Sequence, residues 1–450
     1  MNVAVINDPN LDSDSRLDAL RLLEAGQRKP AATNCNSTGE INNHIHTIYS
    51  FSPYTPAMAA LNARNAGLCA AGSVDHDSIA AANEMIAACA ILGIGGCTGF
   101  EMRVGFKGPF ARRKLNNPDS EGYAYMTVQG IPRQSIPKAA EFLVPIRERR
   151  LRRTGAMCVA ANDLLRDAGL EEIDFERDIV AASKFAEGGG ITERHLLAAA
   201  AKKLIAKYGR GPEISGGLGK TLGIHPTPKI AAALADPSNP HYLYDLLGVL
   251  KAEFLPRIYI QPDENECIPA ETVTAFAESI GAISAYAYLG DVGESPTGDK
   301  KAEKFEDDYI EELFDELSRL GYRAVTYMPL RNTMEQLRRV RRLCAQRGFM
   351  EICGVDINSS RQSFNCPETL RPEFRHLLDT TWALIAHERL SSLGESFGLF
   401  SRNNPLAGEN LSSRIAAYAA AGKKLDLLHL ESLESAAAMA LLGNFTGGTV

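Results

Sequence analysis

No stretch of 18 or more apolar residues occurs in the 450-residue chain, so nothing in it reads as a membrane span. The nine cysteines are scattered, and none belongs to a Cys-x-x-Cys pair. That excludes a Cys-rich zinc module and a disulfide frame, and it fits reduced thiols in a cytoplasmic setting. Positive charge is in short supply. Lys and Arg number 48 against 55 Asp and Glu, a formal net charge of −7. That balance argues against a dedicated nucleic-acid binder, although short RNA stays open. The N-terminal stretch has no continuous apolar core and carries Asp8, Asp12, Asp14 and Asp18, unlike a secretory leader. Repeats of the solenoid kind are absent. Histidine is scarce as well, with nine in the whole chain. What is present is ordinary for a globular protein: 45% hydrophobic and 23% charged residues, which excludes disorder and fibrous architecture.

Short apolar runs alternate with helical patterns. Strand-like runs lie near 41–46, 68–75, 94–101, 123–128, 257–260, 282–289, 322–328 and 351–356. Helical patterns lie near 56–66, 78–91, 270–280, 303–320 and 332–347. This alternation predicts parallel β/α units, hence a barrel or a doubly wound sheet. Several runs end in polar side chains: His44, Asp75, Glu101, Tyr288 and Asp356. An α/β barrel places its chemistry at those strand ends. Residues 130–250 break the alternation and read as a helical insertion, with glycine-rich breaks after Glu187 and between Gly209 and Gly219. The expected division is an N-terminal helical extension over 1–40, a barrel over 41–129 and 251–371, the insertion over 130–250, and a helical C-terminal region over 372–450. Leu17, Leu20, Leu22 and Leu23 form an amphipathic stretch expected to pack on the outside of the barrel. Ala-rich helices are expected near 413–422 and 431–442.

The histidines fall in informative places. His44 and His46 are two residues apart on a strand, so they share a face and can meet one metal ion. The next run ends in Ser73-Val74-Asp75-His76-Asp77-Ser78, where Ser78 is positioned to cap the following helix. The third ends in Gly99-Phe100-Glu101-Met102. Three successive strand ends thus offer imidazoles and carboxylates, a donor set suited to zinc, manganese or iron.

The order His-x-His-Thr, then Asp-His-Asp-Ser, then Gly-Phe-Glu resembles the polymerase and histidinol phosphatase (PHP) family. The resemblance continues through Glu193-Arg194-His195-Leu196, Ala287-Tyr288-Leu289 and Gly354-Val355-Asp356-Ile357-Asn358, covering about residues 41 to 360. It implies a distorted seven-stranded TIM-like (β/α) barrel that binds up to three metals and hydrolyses phosphoesters. The helical insertion makes the chain most similar to the branch of nucleoside-phosphate phosphatases and small-RNA 5′-exonucleases. For the first metal the resemblance implies His44, His46, Glu101 and Asp356, and all four are present. The second would need Glu101, His195 and position 125, which is Tyr125. The third would need His76 with positions 51 and 358, which are Phe51 and Asn358. Tyr288 also stands where the family has histidine. One secure divalent ion (Zn, Mn or Fe) is therefore expected, with a weakly supplied second.

The expected roles follow. His76 and His195 would act as acid/base groups or hold a second ion, and Tyr125 and Tyr288 would contact substrate or move protons. Arg103, Lys107, Arg112, Arg113 and Lys114 follow Glu101 closely and would meet a phosphate, with Asn358 as a further substrate contact. Phe51 reads as packing. His225 reads as a solvated loop residue, and His241, His376, His387 and His429 as surface or core. The five arginines between Arg147 and Arg153 read as a solvated helix face paired with the acids at 171–178. Gly216–Thr221 lacks the spacing of a phosphate loop. The leading expectation is a metal-dependent hydrolase of a small phosphorylated molecule or nucleotide. The rivals are a one-metal hydrolase, lyase or isomerase using tyrosines on a sugar or acid, and a binding protein with a decayed site. Homo-oligomers stay open.

Overall fold

Seven strands follow one another around a single sheet in chain order: β1 (Ile41–Ile45), β2 (Ala70–His76), β3 (Gly95–Gly105), β4 (Tyr123–Gln129), β5 (Ile283–Ala287), β6 (Ala324–Tyr327) and β7 (Met350–Cys353). They come from a computed structural model that describes residues 3–26, 39–292, 303–425 and 440–442. The strands are buried almost throughout, because side chains fill the inside and helices cover the outside. The sheet nearly closes into a barrel. Just past β7, Ile357 pairs in parallel with Ile45 of β1. His46 N donates to Ile357 O at 2.9 Å, and Ile357 N donates to His44 O at 3.1 Å.

Side chains stitch the same seam. Asn42 Nδ2 donates to Val355 O at 3.0 Å and Asn42 Oδ1 accepts from Val355 N at 3.0 Å. Asn43 Nδ2 reaches Cys353 O at 3.1 Å. Gly354 makes the approach possible, since a Cβ there would lie 2.5 Å from His44 N and 2.7 Å from Asn42 Oδ1.

The expectation of an all-parallel arrangement fails at one strand. β4 runs antiparallel to both β3 and β5, while the other neighbours are parallel. Its N-terminal end therefore joins the C-terminal ends of the other six. The outer helices lie near their expected places: Pro56–Asn65, Ala82–Leu92, Ala270–Ser279, Ile310–Arg319 and Met334–Arg347. Thr55 caps the first, accepting from Met58 N at 3.2 Å, with Pro56 at the first helical position. Ser78 does not cap the second. Its hydroxyl donates to Gly188 O at 2.7 Å and ties the insertion to the end of β2. The expected strand at 257–260 is instead a helical turn, Leu255–Ile258, with Pro256 at its start.

Between β4 and β5 the insertion contributes the helices Ile136–Asp167, Glu193–Tyr208, Glu213–Leu222, Pro228–Ala235 and Tyr242–Glu253. They bury their own cluster, including Met157, Leu165, Leu197, Leu204, Leu246 and Leu250. Gly216–Thr221 lies within a helix of this group. The helix Ser13–Gly26 buries Leu17 and Leu20 and leaves Leu22 exposed. Its Arg16 is locked to Glu84 by Nε–Oε1 and Nη2–Oε2 contacts of 2.9 and 2.5 Å. The helices Arg375–Ser391 and Leu411–Gly422 pack against each other beside the barrel. The expected helix near 431–442 lies outside the described residues except for 440–442, and so does His429. No described helix is long and apolar enough to cross a membrane.

Candidate metal centre

The C-terminal ends of β1 to β3 bring His44, His46 and Glu101 into one buried group whose ligand atoms lie within 4.8 Å of one another. His44 Nε2 is 3.5 Å from Glu101 Oε1, and His46 Nε2 is 3.8 Å from Glu101 Oε2. Asp356, just past β7, comes in from the other side, with Oδ1 3.4 Å from His46 Nε2. In register, His76 faces Glu101 across β2 and β3, and its Nδ1 lies 2.9 Å from Glu101 Oε2.

The protonation of His46 can be followed along its partners. Ser50 Oγ gives its only proton to Asp75 Oδ1 at 2.5 Å. The contact of His46 Nδ1 with Ser50 Oγ, 3.3 Å long, therefore requires the proton on Nδ1. Burial, with His76 nearby, depresses the His46 pKa to about 3, so the ring is neutral. Its Nε2 then carries a lone pair, and that buried atom has no hydrogen-bond partner. Asp75 anchors this arrangement. It also accepts from Thr47 N and Thr47 Oγ1, both at 2.6 Å. Burial raises its pKa to about 6 against those hydrogen bonds.

Burial raises the Glu101 pKa. Asp356 shows the reverse: burial alone would raise its pKa, but His46, His44 and Arg194 together lower it. The His76 pKa is driven to about 3 by burial and by Arg150, and its Nδ1 meets Glu101 Oε2 without the geometry of a hydrogen bond. Two imidazoles, two carboxylates and the orphaned lone pair of His46 Nε2 fit a divalent cation well.

His195 is different. It sits in the first turn of Glu193–Tyr208, where its Nδ1 accepts from Thr192 N at 3.0 Å. Burial holds its pKa near 3. A neutral ring that accepts at Nδ1 carries its proton at Nε2, so His195 is a donor there and not a ligand. Its ring packs edge-on against Phe51, 4.9 Å between centroids. Phe51 packs as expected, but it does so at φ +71, and Asp77 has φ +53. These two left-handed non-glycine residues flank the centre, a sign of backbone held under strain by its surroundings.

A cavity of about 230 Å³ opens over the cluster, lined among others by Tyr125, Tyr288, Arg194 and Asn358. The Tyr125 ring is 5.8 Å from the His76 ring, and burial raises its pKa, so it stays a protonated hydroxyl and a poor ligand. Tyr288 lines the cavity, yet its hydroxyl is taken by Asp307 Oδ1 at 2.5 Å. Asn358 Nδ2 donates to Asp356 Oδ1 at 2.6 Å and so orients that carboxylate.

The expected basic loop divides. Arg103 lies in the cavity wall. Lys107, Arg112 and Arg113 do not line it. Lys107 pairs with Glu271 and Arg113 with Glu312, each at 2.7 Å on the surface, and Arg112 is exposed. The run from Arg147 corrects the solvated-face expectation. Arg150 and Arg153 are 3% and 8% exposed and point inward. Arg150 holds Asp77 at 2.6 Å and Glu193 at 2.8 Å. Arg153 holds Glu193 and Glu266, both at 2.6 Å. Arg103 reaches Glu266 too, and Glu193 at 3.5 Å. These three arginines pull the Glu193 pKa far down despite its burial. A signal was available in the sequence. Leu143, Ile146, Arg150, Arg153 and Met157 fall on one helical stripe, so the two arginines continue a buried face.

Fold and centre together define an α/β barrel with a candidate cation site at its mouth, made of the buried His44, His46 and Glu101 with the half-buried Asp356 beside them. No protein-family model matches the chain, and no curated protein matches it. Among solved structures it is similar to a protein of Bifidobacterium adolescentis named, by inference, as a metal-dependent phosphoesterase. That pair shares 18% identity at a TM-score of 0.47, covering 75% of this chain and 95% of the other. It is also similar to an amidohydrolase from Chromobacterium violaceum solved with sulfate and without metal, at 18% identity and a TM-score of 0.46, over 75% and 95% of the two chains. At that degree of likeness the functional reading rests on the geometry of the site itself.

Proposed function

We propose that the protein is a metal-dependent hydrolase that cleaves phosphoesters of a small molecule or nucleotide. The observation that carries this reading is the buried His44–His46–Glu101 group, with the orphaned His46 Nε2 lying between Glu101 and Asp356. Those four residues would hold one zinc, manganese or iron ion. Bound there, such an ion supplies Lewis-acid polarisation of a phosphoryl oxygen and a water of lowered pKa.

The chain's own residues do the rest. Asp75, through Ser50, keeps the His46 lone pair aimed at the site, and Asn358 orients Asp356. Tyr125, held protonated, can donate to a substrate oxygen or a leaving group. His76, neutral beside Glu101, is placed to accept a proton from water. A second ion is poorly served. Tyr125 is protonated, His195 presents N–H, and Arg150 brings positive charge next to His76.

One observation favours a second reading. Tyr125 lines the cavity with its ring beside that of the neutral His76, a pair of groups that would also suit lyase or isomerase chemistry on a sugar or acid. Metal content by mass spectrometry and a screen of phosphomonoesters, cyclic nucleotides and short RNAs separate the two. About one ion per chain and phosphate release that vanishes in Asp356→Ala are expected. Release unaffected by that substitution refutes the proposal, and turnover confined to unphosphorylated sugars or acids selects the second reading.

A further inference from the structure

Four cationic side chains line the cavity: Arg103, Arg150, Arg194 and Lys251. Two of them are already committed. Arg103 and Arg150, with Arg153 behind them, face Asp77, Glu193 and Glu266. Three guanidinium groups meet three carboxylates, so this set is electrically closed and has no charge left for a ligand.

Arg194 differs from them. It is half-buried, and no ion pair to a carboxylate holds it among the described residues. One Nη1–H donates to Asn358 O at 2.7 Å, which fixes the side chain against the loop that carries Asp356. A carbonyl satisfies one donor of a guanidinium and none of its charge. The nearest acidic influence is Asp356, whose charge the proposed metal would take up. With that ion in place, the cluster balances as well. His44 and His46 are uncharged as ligands, and Glu101 and Asp356 offset a divalent cation. The positive charge that remains around the cavity belongs to Arg194 in the wall and to Lys251, exposed on the helix Tyr242–Glu253, and the one acid of the lining outside these sets is the exposed Asp119.

We propose that Arg194 binds the oxyanion of the substrate, with Lys251 adding the second positive charge at the mouth. This rests on the metal reading above, because that reading removes Asp356 as a counter-ion. The planar fork of a guanidinium matches two oxygens of one phosphate or carboxylate. Arg194 and Lys251, with the exposed Asp119 carboxylate largely screened by water, match a phosphate monoester, which carries close to two negative charges at neutral pH, better than a singly charged carboxylate. The helix start after Thr192 therefore supplies a donor through His195, an acid that organises the buried arginines through Glu193, and the anion anchor through Arg194.

The test uses the full chain, both metal-loaded and metal-free, titrated calorimetrically with inorganic phosphate and separately with acetate. Wild type, Arg194→Met and Arg194→Lys are compared, with thermal unfolding and metal content measured on each. Phosphate binding should weaken by at least about tenfold in Arg194→Met, the value of one charge-assisted hydrogen bond, and recover in part in Arg194→Lys. Metal content should stay at the wild-type level. Phosphate should bind more tightly than acetate, and the reverse order overturns the monoester assignment. Equal phosphate affinity in folded wild type and Arg194→Met overturns the inference, as does a wild type that binds no phosphate. If the wild type takes up no metal yet shows Arg194-dependent phosphate binding, the metal reading fails and the anion anchor stands.

Discussion

Replacing Glu266 by Gln should unsettle the base of the cavity. Glu266 is 4% exposed. It accepts from Arg153 Nε at 2.6 Å, from Arg153 Nη2 at 3.0 Å and from Arg103 Nη2. The amide keeps the shape, removes the charge and turns one acceptor into a donor facing a guanidinium. Three buried arginines would then share only Asp77 and Glu193. Breaking a buried ion pair from one side costs about 3–5 kcal/mol, because the orphaned charge cannot return to water. A chain of this length releases roughly 0.9 kcal/mol per kelvin at its midpoint, so Tm should fall by about 3–5 °C. Scanning calorimetry at neutral pH reads this directly. A second arm adds Arg153→Gln alone and with Glu266→Gln, and their non-additivity should be about 0.5–3 kcal/mol. A Tm within about 1 °C of wild type, or strict additivity, would show that the network is not a closed set of charges.

Three further outcomes are expected. Asp75→Asn disturbs the Ser50–His46 relay and should lower metal affinity about 10–100-fold in a chelator competition; an unchanged affinity removes Asp75 from the centre. His387, 2% exposed with Nδ1 accepting from Leu399 N at 2.9 Å, is pushed by burial to a pKa of about 4. Below its ordinary value of about 6.5, the unfolded chain binds a proton that the folded chain refuses. The stability His387 contributes is thus present above pH 6.5 and lost as pH falls toward 4, about 2 kcal/mol by pH 5. Unfolding of His387→Asn should be correspondingly less sensitive to acid, and parallel pH profiles refute the assignment. Gly190→Ala places a Cβ against the His76 carbonyl oxygen, so the loop over β2 must shift at a cost of about 1–3 kcal/mol; unchanged thermal unfolding rules that contact out.

That His44, His46 and Glu101 come together was legible because its signals are local. His44 and His46 share a strand face by spacing alone, and Glu101 and Asp356 end apolar runs. The reversal of β4 was not legible, since an apolar run has no direction. Only pairing tells Arg103 opposite Tyr125 from a parallel register. The buried arginines were legible in principle from their stripe, but charge density pointed to solvent and outweighed periodicity. The roles of His195 and Tyr288 depend on single hydrogen bonds, to Thr192 N and to Asp307, which no spacing rule reports. Nor could spacing show that Asn42 and Asn43 close the barrel, because their partners lie some 310 residues away.

The reversed β4 has an architectural consequence. It delivers the chain to the end of the barrel opposite the metal site, at Gln129. The helix Ile136–Asp167 is the return path, with 32 residues and a length of about 48 Å. Arg150 is reached after about 21 Å of climb, level with Asp77 at the end of β2. The helix is a mast, and the rest of the insertion hangs from its top. Removing one residue below Arg150 would turn that arginine by about 100° off its acids, whereas removing a whole turn would lower it by about 5.4 Å and keep the face. The height of the insertion over the cavity is thus written as a residue count in a helix that begins at the far end of the barrel.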